Sequence, residues 1–156
     1  VATSPTPPAF RFDSRPACAR DFDALKAEYS RTIPADARYI TVSIDPMLAS
    51  LLVVRPSAPL VVHVYSHDFG NRTISVVSRS ELANATPTFQ LSEFDGKMLA
   101  RACRAATAEH ASRTGIQAES TNITLRIGVG ETVSHVVVHI GNVPYCFERG
   151  GARRKC

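Results

Sequence analysis

The sequence predicts an α+β protein: a largely antiparallel sheet of about six to eight strands, two helices and two disulfides. Three observations carry this. Apolar and polar residues alternate over short stretches such as 38–45 and 123–127, the period of a half-buried strand. Two other stretches, 20–33 and 93–114, repeat their apolar residues every three to four positions, as a helix with one buried face does. Cys18, Cys103, Cys146 and Cys156 are even in number, widely spaced and contain no Cys-x-x-Cys pair, which suits two disulfides better than a zinc or redox motif.

Taken in order, residues 1–16 are rich in Pro, Thr and Ser and are expected to be extended and mobile, with Phe10 and Phe12 able to add a short edge strand. Phe22, Leu25 and Tyr29 then share one face of a helix over Arg20 to Ile33, which Pro34 stops. In Arg38 to Asp45, Ile40, Val42 and Ile44 are expected to point inward, and Tyr39, Thr41 and Ser43 outward. Further strands follow over 49–55, 60–67 and 72–78, with His67 to Asn71 as a turn. Residues 83–91 read as one more edge strand, the place where Pro87 is tolerated.

The second helix, 93–114, carries the stripe Leu99, Ala102, Cys103, Ala106 and His110. Ser92 with Asp95 suggests a capping box at its start, and Gly115 marks its end. Residues 120–149 read as a three-stranded meander beneath that helix, with Ile123, Leu125, Ile127, Val136, Val138 and Ile140 on the core face. Residues 149–156 form a basic tail. No internal sequence repeat and no linker are visible, so 156 residues read as a single domain.

Composition narrows the class. Hydrophobic residues make up 44% of the chain, which excludes a disordered polymer. No apolar run approaches the ~20 residues a spanning helix needs. The chain begins at Val1 and not at methionine, which points to a removed signal peptide. Three of the four asparagines, Asn71, Asn84 and Asn122, sit in Asn-x-Thr sequons, a second pointer to secretion. Asn71 lies in an expected hairpin tip, whereas Pro87 directly after Thr86 makes Asn84 the poorest acceptor. The net charge of +4 permits an acidic partner without requiring one.

Histidines are the candidates for chemistry. His63, Tyr65 and His67 share one strand face, and His135 and His139 share another. Were those strands neighbours, His63 and His139 would form an acid–base pair on a phosphodiester, with Arg126 holding the phosphate. Val62-His63-Val64-Tyr65, Glu81 eighteen residues after His63, and His139-Ile140-Gly141 before Cys146 resemble pieces of the ribonuclease T1-like family. That resemblance implies His63, Glu81 and His139 as catalytic residues, and Arg126, expected to hold the phosphate, completes the candidate catalytic set. The family's Pro-Gly-x-Asp-Arg segment is absent, and the long helix falls between Glu81 and Arg126 instead of before the catalytic strands. No metal ligand set and no cofactor motif are legible.

Two basic clusters are the binding candidates. Lys97, Arg101 and Arg104 recur at helical spacing opposite the apolar stripe, and Arg153 and Arg154 lie in the tail. Either suits an acidic glycan or an acidic protein surface. Nucleic acid fits less well, because Trp is absent and aromatic residues are only 7%. The reading is a secreted, glycosylated binding protein, of the kind a virus or microbe releases against an extracellular host partner. A secreted histidine hydrolase and a subunit of a surface glycoprotein are the alternatives. For the cysteines, the expected pairing is Cys103–Cys146 with Cys18–Cys156, since a helix covering the meander would bring Cys103 to Cys146. The rival pairing is Cys146–Cys156 with Cys18–Cys103.

Overall fold

The computed structural model describes residues 17–118, 122–129 and 134–156. The expected mobile segment 1–16, with Phe10 and Phe12, lies outside the described residues, as do residues 130–133 within the expected meander. A 3₁₀ turn at Ala17–Ala19 leads into α1 (Phe22–Thr32) and then β1 (Arg38–Ile44), β2 (Leu48–Arg55), β3 (Ala58–Asp68) and β4 (Thr73–Glu81). A second 3₁₀ turn, Leu91–Glu93, precedes α2 (Gly96–Thr114), which is followed by β5 (Ile123–Val129), β6 (Ser134–Ile140), β7 (Val143–Glu148) and β8 (Arg153–Arg154). All eight strands form one antiparallel sheet in the order β4-β3-β2-β1-β5-β6-β7-β8. The α+β class and the strand number are as the sequence predicts.

This order contains a repeat that the sequence does not show. A helix followed by four antiparallel strands occurs twice, and the first strands of the two units, β1 and β5, pair at the centre of the sheet. Short hairpin connections fix the remaining order outward on both sides.

Both helices pack on one face. α1 contributes Phe22, Leu25 and Tyr29, and α2 contributes Leu99, Ala102 and Ala106. Strand residues Val42, Ile44, Leu51, Leu125, Ile127, Val136, Val138, Tyr145 and Phe147 meet them. Alanines on the α2 stripe let the helix backbone sit close to the sheet, which helps the site reach interior packing density. The other, open face carries no helix among the described residues, although Val54, Val62, Val137 and Cys146 on it are buried. Across it one row runs through every strand: Ser75, Ser66, Ser50, Ser43, Arg126, Val137, Cys146 and Arg154 stand directly opposite one another.

The helix ends follow local chemistry. Asp21 caps α1, accepting from the Ala24 N–H at 3.2 Å, and Asp95 caps α2, accepting from the Met98 N–H at 2.8 Å. The α2 cap is thus Asp95 and not Ser92, which lies inside the preceding 3₁₀ turn. Gly115 ends α2 with φ of 71°, a left-handed conformation that glycine adopts without a Cβ penalty.

Three expectations are corrected. In β1, the register slips between Tyr39 and Thr41, so a bulge at Ile40 reverses the alternation. Tyr39 therefore enters the core against Phe89, with ring centroids 6.0 Å apart, and Ile40 is only half-buried. Residues 83–91 form no edge strand: Phe89 makes a single bridge to Tyr39, and the rest runs across the end of the sheet.

The third correction is the disulfide pairing. The bridges are Cys18–Cys103 and Cys146–Cys156, with Cα atoms 5.9 and 5.3 Å apart. The reason is strand parity. Tyr145 and Phe147 face the helices, so Cys146 between them faces the open side, where it pairs with Val137. Cys103 on α2 lies on the opposite side of the sheet from Cys146. It meets Cys18 in the first 3₁₀ turn, while the tail folds back through Gly150 and Gly151 to bring Cys156 to Cys146.

Candidate functional site

The proposed histidine site does not assemble. β3 and β6 have β2, β1 and β5 between them, which separates their backbones by ~19 Å at ~4.8 Å per strand. The faces differ as well. His63 pairs with Val53 on the helix-covered side, whereas His139 pairs with Thr124 on the open side. Glu81 ends β4 at the sheet edge, paired with Val61, and is exposed. Arg126 does share the open face with His139, diagonally across the β5–β6 pair. Partial burial and then this guanidinium hold the His139 imidazole below the usual histidine range. Among the described residues no three His, Cys, Asp or Glu side chains converge as a metal site would require.

Histidine chemistry appears elsewhere, in two helix-to-strand pairs that strand spacing alone could not reveal. Tyr29 on α1 and His67 on β3 hydrogen-bond through the phenol and Nδ1 at 2.8 Å, and His67 is only 4% exposed. Burial pushes the Tyr29 phenol up and the His67 imidazole down, so both stay neutral. His110 on α2 and Tyr145 on β7 make the same contact at 2.8 Å, with the histidine half-exposed. The helix supplies the tyrosine in one pair and the histidine in the other. Both are satisfied contacts between layers, not an exposed reactive cluster.

The basic candidates divide sharply. Lys97, Arg101 and Arg104 lie exposed on the solvent side of α2, and none of their side chains makes a hydrogen bond or ion pair among the described residues, although the Lys97 charge helps hold the Asp23 carboxyl below the usual carboxylate range. The tail arginine is different. Arg153 grips Glu109 of α2, with Nε and a terminal nitrogen 3.1 and 3.0 Å from its carboxylate oxygens. Its guanidinium also lies over the rings of Tyr145 and Phe147, at 5.4 and 5.7 Å. The Arg153 contacts hold the Glu109 carboxyl below the usual carboxylate range. Arg149 pairs with Glu93 at 3.1 Å. Arg153 is therefore a clip between β8 and α2, and Arg154 alone of the two tail candidates remains directed to the open face.

Each sequon asparagine is exposed. Asn71 occupies the β3–β4 tip, where Asp68 accepts from its backbone N–H at 3.1 Å and from Nδ2 at 3.0 Å. A glycosylated Nδ2 retains one hydrogen, so this contact is compatible with a glycan. The adjacent Arg72 adopts φ of 55°, as a tight tip requires of one residue. Asn84 lies in the irregular segment after β4, and Asn122 directly precedes β5.

One concave feature was not legible in the sequence. Two cavities, of about 360 and 330 Å³, adjoin at the end of the sheet and share Arg38 and Pro56 in their walls. Tyr39 lies in the wall of the larger one, its phenol pushed up to about 12 by burial. Asp36 and Arg55 form a two-bond ion pair across the rim, at 3.0 and 3.1 Å. Composition carries no signal for such a site, because its walls come from three separate stretches of chain, 29–39, 54–59 and 85–92. No family model, no curated protein and no solved structure matches this chain.

Proposed function

We propose that this chain is a secreted, N-glycosylated binding protein that engages an acidic surface of an extracellular protein or glycan. The observation that carries this reading is the strip Lys97, Arg101 and Arg104: three exposed cations on one rigid helix face, of which only Lys97 has an acid, Asp23, near enough to feel its charge, and none forms a side-chain ion pair among the described residues. Cations held on a helix attract an acidic partner at a distance and fix its orientation on docking. The setting supports an extracellular role. All four cysteines are paired, and all three sequons are exposed. Stable disulfides belong to oxidising compartments. A small, disulfide-closed glycoprotein of this kind suits a viral or microbial effector acting on a host molecule. The dispersal of His63, Glu81 and His139 gives the hydrolase alternative no support.

The test is charge reversal of the strip, Lys97→Glu with Arg101→Glu and Arg104→Glu, measured against immobilised heparin and against proteins captured from extracellular fluid by the parent. Binding of the parent that weakens with salt and falls at least about tenfold in the variant is expected. Equal binding by parent and variant would remove the strip from the interface.

A further inference from the structure

We propose that the paired cavities around Arg38 form a second binding site, for an extended peptide that places one carboxylate between apolar residues. The site lies apart from the α2 strip and needs different chemistry. Three features on its walls select this ligand.

The first is charge. Arg38 is half-buried, lines both cavities, and its side chain makes no hydrogen bond or ion pair among the described residues. Arg55 beside it is already occupied by Asp36. A single unoccupied guanidinium at the junction of two cavities calls for a single carboxylate at the middle of the ligand, held by two parallel hydrogen bonds.

The second is the apolar lining on both sides of that charge. Ile33, Pro34 and Leu91 wall the larger cavity, and Val54, Pro59 and Ala85 the smaller. A sulfated glycan needs several cations along a polar groove, and these walls do not supply them. Apolar side chains flanking an acidic one do match.

The third is main chain. Residues 83–88 make no backbone hydrogen bond among the described residues, although Leu82 and Phe89 on either side do, to Leu60 and Tyr39. Ala85, Thr86 and Thr88 from this stretch line the smaller cavity. Unpaired N–H and C=O groups along a cavity wall are what an extended peptide pairs with. At ~3.3 Å per residue, a five-residue strand is ~16 Å long and places an acid at its centre between two apolar flanks.

The experiment titrates the full chain with a blocked pentapeptide, acetyl-Ala-Val-Glu-Val-Ala-amide, and follows backbone amide signals by NMR. The control is the same peptide with Gln for Glu. The expected result is saturable shifts confined to residues 34–39, 54–59 and 85–91, with affinity about tenfold weaker for the Gln peptide. Arg38→Gln should weaken the Glu peptide by the same factor and erase the difference between the two peptides. The peptide control reads the charge requirement even if the variant were to misfold. Absence of shifts at these residues at millimolar peptide, or equal binding of the two peptides, overturns the proposal. So does a heparin hexasaccharide that moves the same signals more strongly than the Glu peptide. Concentration-dependent shifts there without any peptide would assign the site to a second copy of this chain and overturn it as well.

Discussion

The N-terminal unit, α1 with β1–β4, and the C-terminal unit, α2 with β5–β8, follow one topological plan and finish it differently. Each ends in an edge strand. β4 is nine residues long, with Val76 and Val77 51% and 59% exposed. Its protection against edge-to-edge pairing is a bulge where the register slips past Val77, with Arg79 and Glu81 beyond it. β8 has two residues, and the Cys146–Cys156 bridge and the Arg153–Glu109 pair hold it in place. The helix-to-third-strand contact also recurs, as Tyr29–His67 in one unit and His110–Tyr145 in the other, with ring planes at 85° and 84°. The two units thus share a polar tie at that place but differ in which layer supplies the imidazole. The consequence lies in burial: the N-terminal histidine is sealed in, and its counterpart reaches solvent.

Removing the bridges should separate the two units most. Cys18–Cys103 closes a separation of 85 residues and joins the start of the chain to α2, whereas Cys146–Cys156 closes only 10 within one unit. Loop-closure entropy predicts losses of about 4–5 kcal/mol for the double alanine variant of the first pair and about 3 kcal/mol for the second. Denaturant midpoints of the two variants measure this. The reverse order would mean that the C-terminal unit depends on its local clip more than the fold depends on the long bridge.

The tyrosine–histidine ties come next. Tyr29→Phe leaves the buried Nδ1 of His67 without its partner, at a cost of about 1–3 kcal/mol. Tyr145→Phe lets the half-exposed His110 turn to water, so its cost should stay below about 1 kcal/mol. Thermal unfolding of the two single variants reads the contrast, since ~1 kcal/mol moves the midpoint by ~2–4 °C in a domain of this size. Equal losses would show that the two ties are equally sealed.

Acid sharpens the same contrast. The folded-state pKa of His67 lies below its unfolded value, so the unfolded chain takes up a proton first as pH falls. The stability that neutral His67 contributes is complete above pH ~6.5 and is lost progressively below it, down to the folded pKa. Glu28 and Asp68 oppose the shift, and burial outweighs them. The melting midpoint should fall between pH 7.5 and 5, and His67→Gln should flatten that fall whatever it does to the midpoint itself. His139 adds a smaller contribution of the same sign, because it is half-exposed. A slope unchanged in His67→Gln would move the acid sensitivity out of the N-terminal unit.

The smallest effect on stability concerns glycans. Asn71 and Asn122 should carry them on protein from a eukaryotic secretory pathway, and Asn84 little or none, read as intact mass before and after glycosidase treatment. Neither site is buried, so removing the glycans should change stability by no more than about 0.5 kcal/mol. An unchanged mass would contradict the secretory reading.

Alternation and helical spacing in the sequence determined the elements themselves. α1, α2, the β5–β7 meander and the Gly115 stop lie where those periods place them, because each depends on neighbours a few residues away. Cys18, Cys103, Cys146 and Cys156 likewise announced two bridges. What depends on contacts distant in sequence had to wait for the tertiary structure. Whether His63 could meet His139 was decided by the insertion of β2, β1 and β5 between their strands. Whether Cys146 could meet Cys103 was decided by which face of β7 it occupies. Arg153 reads in sequence as a tail charge and becomes a clip only because β8 returns beside Glu109. Arg38, with no local signal at all, is exceptional only because three stretches of chain leave it between two cavities whose one acid, Asp36, is paired with Arg55. Local patterns fix which face of an element is apolar, while strand order, parity and the pairing of charges are set by the long-range packing that chain folding alone completes.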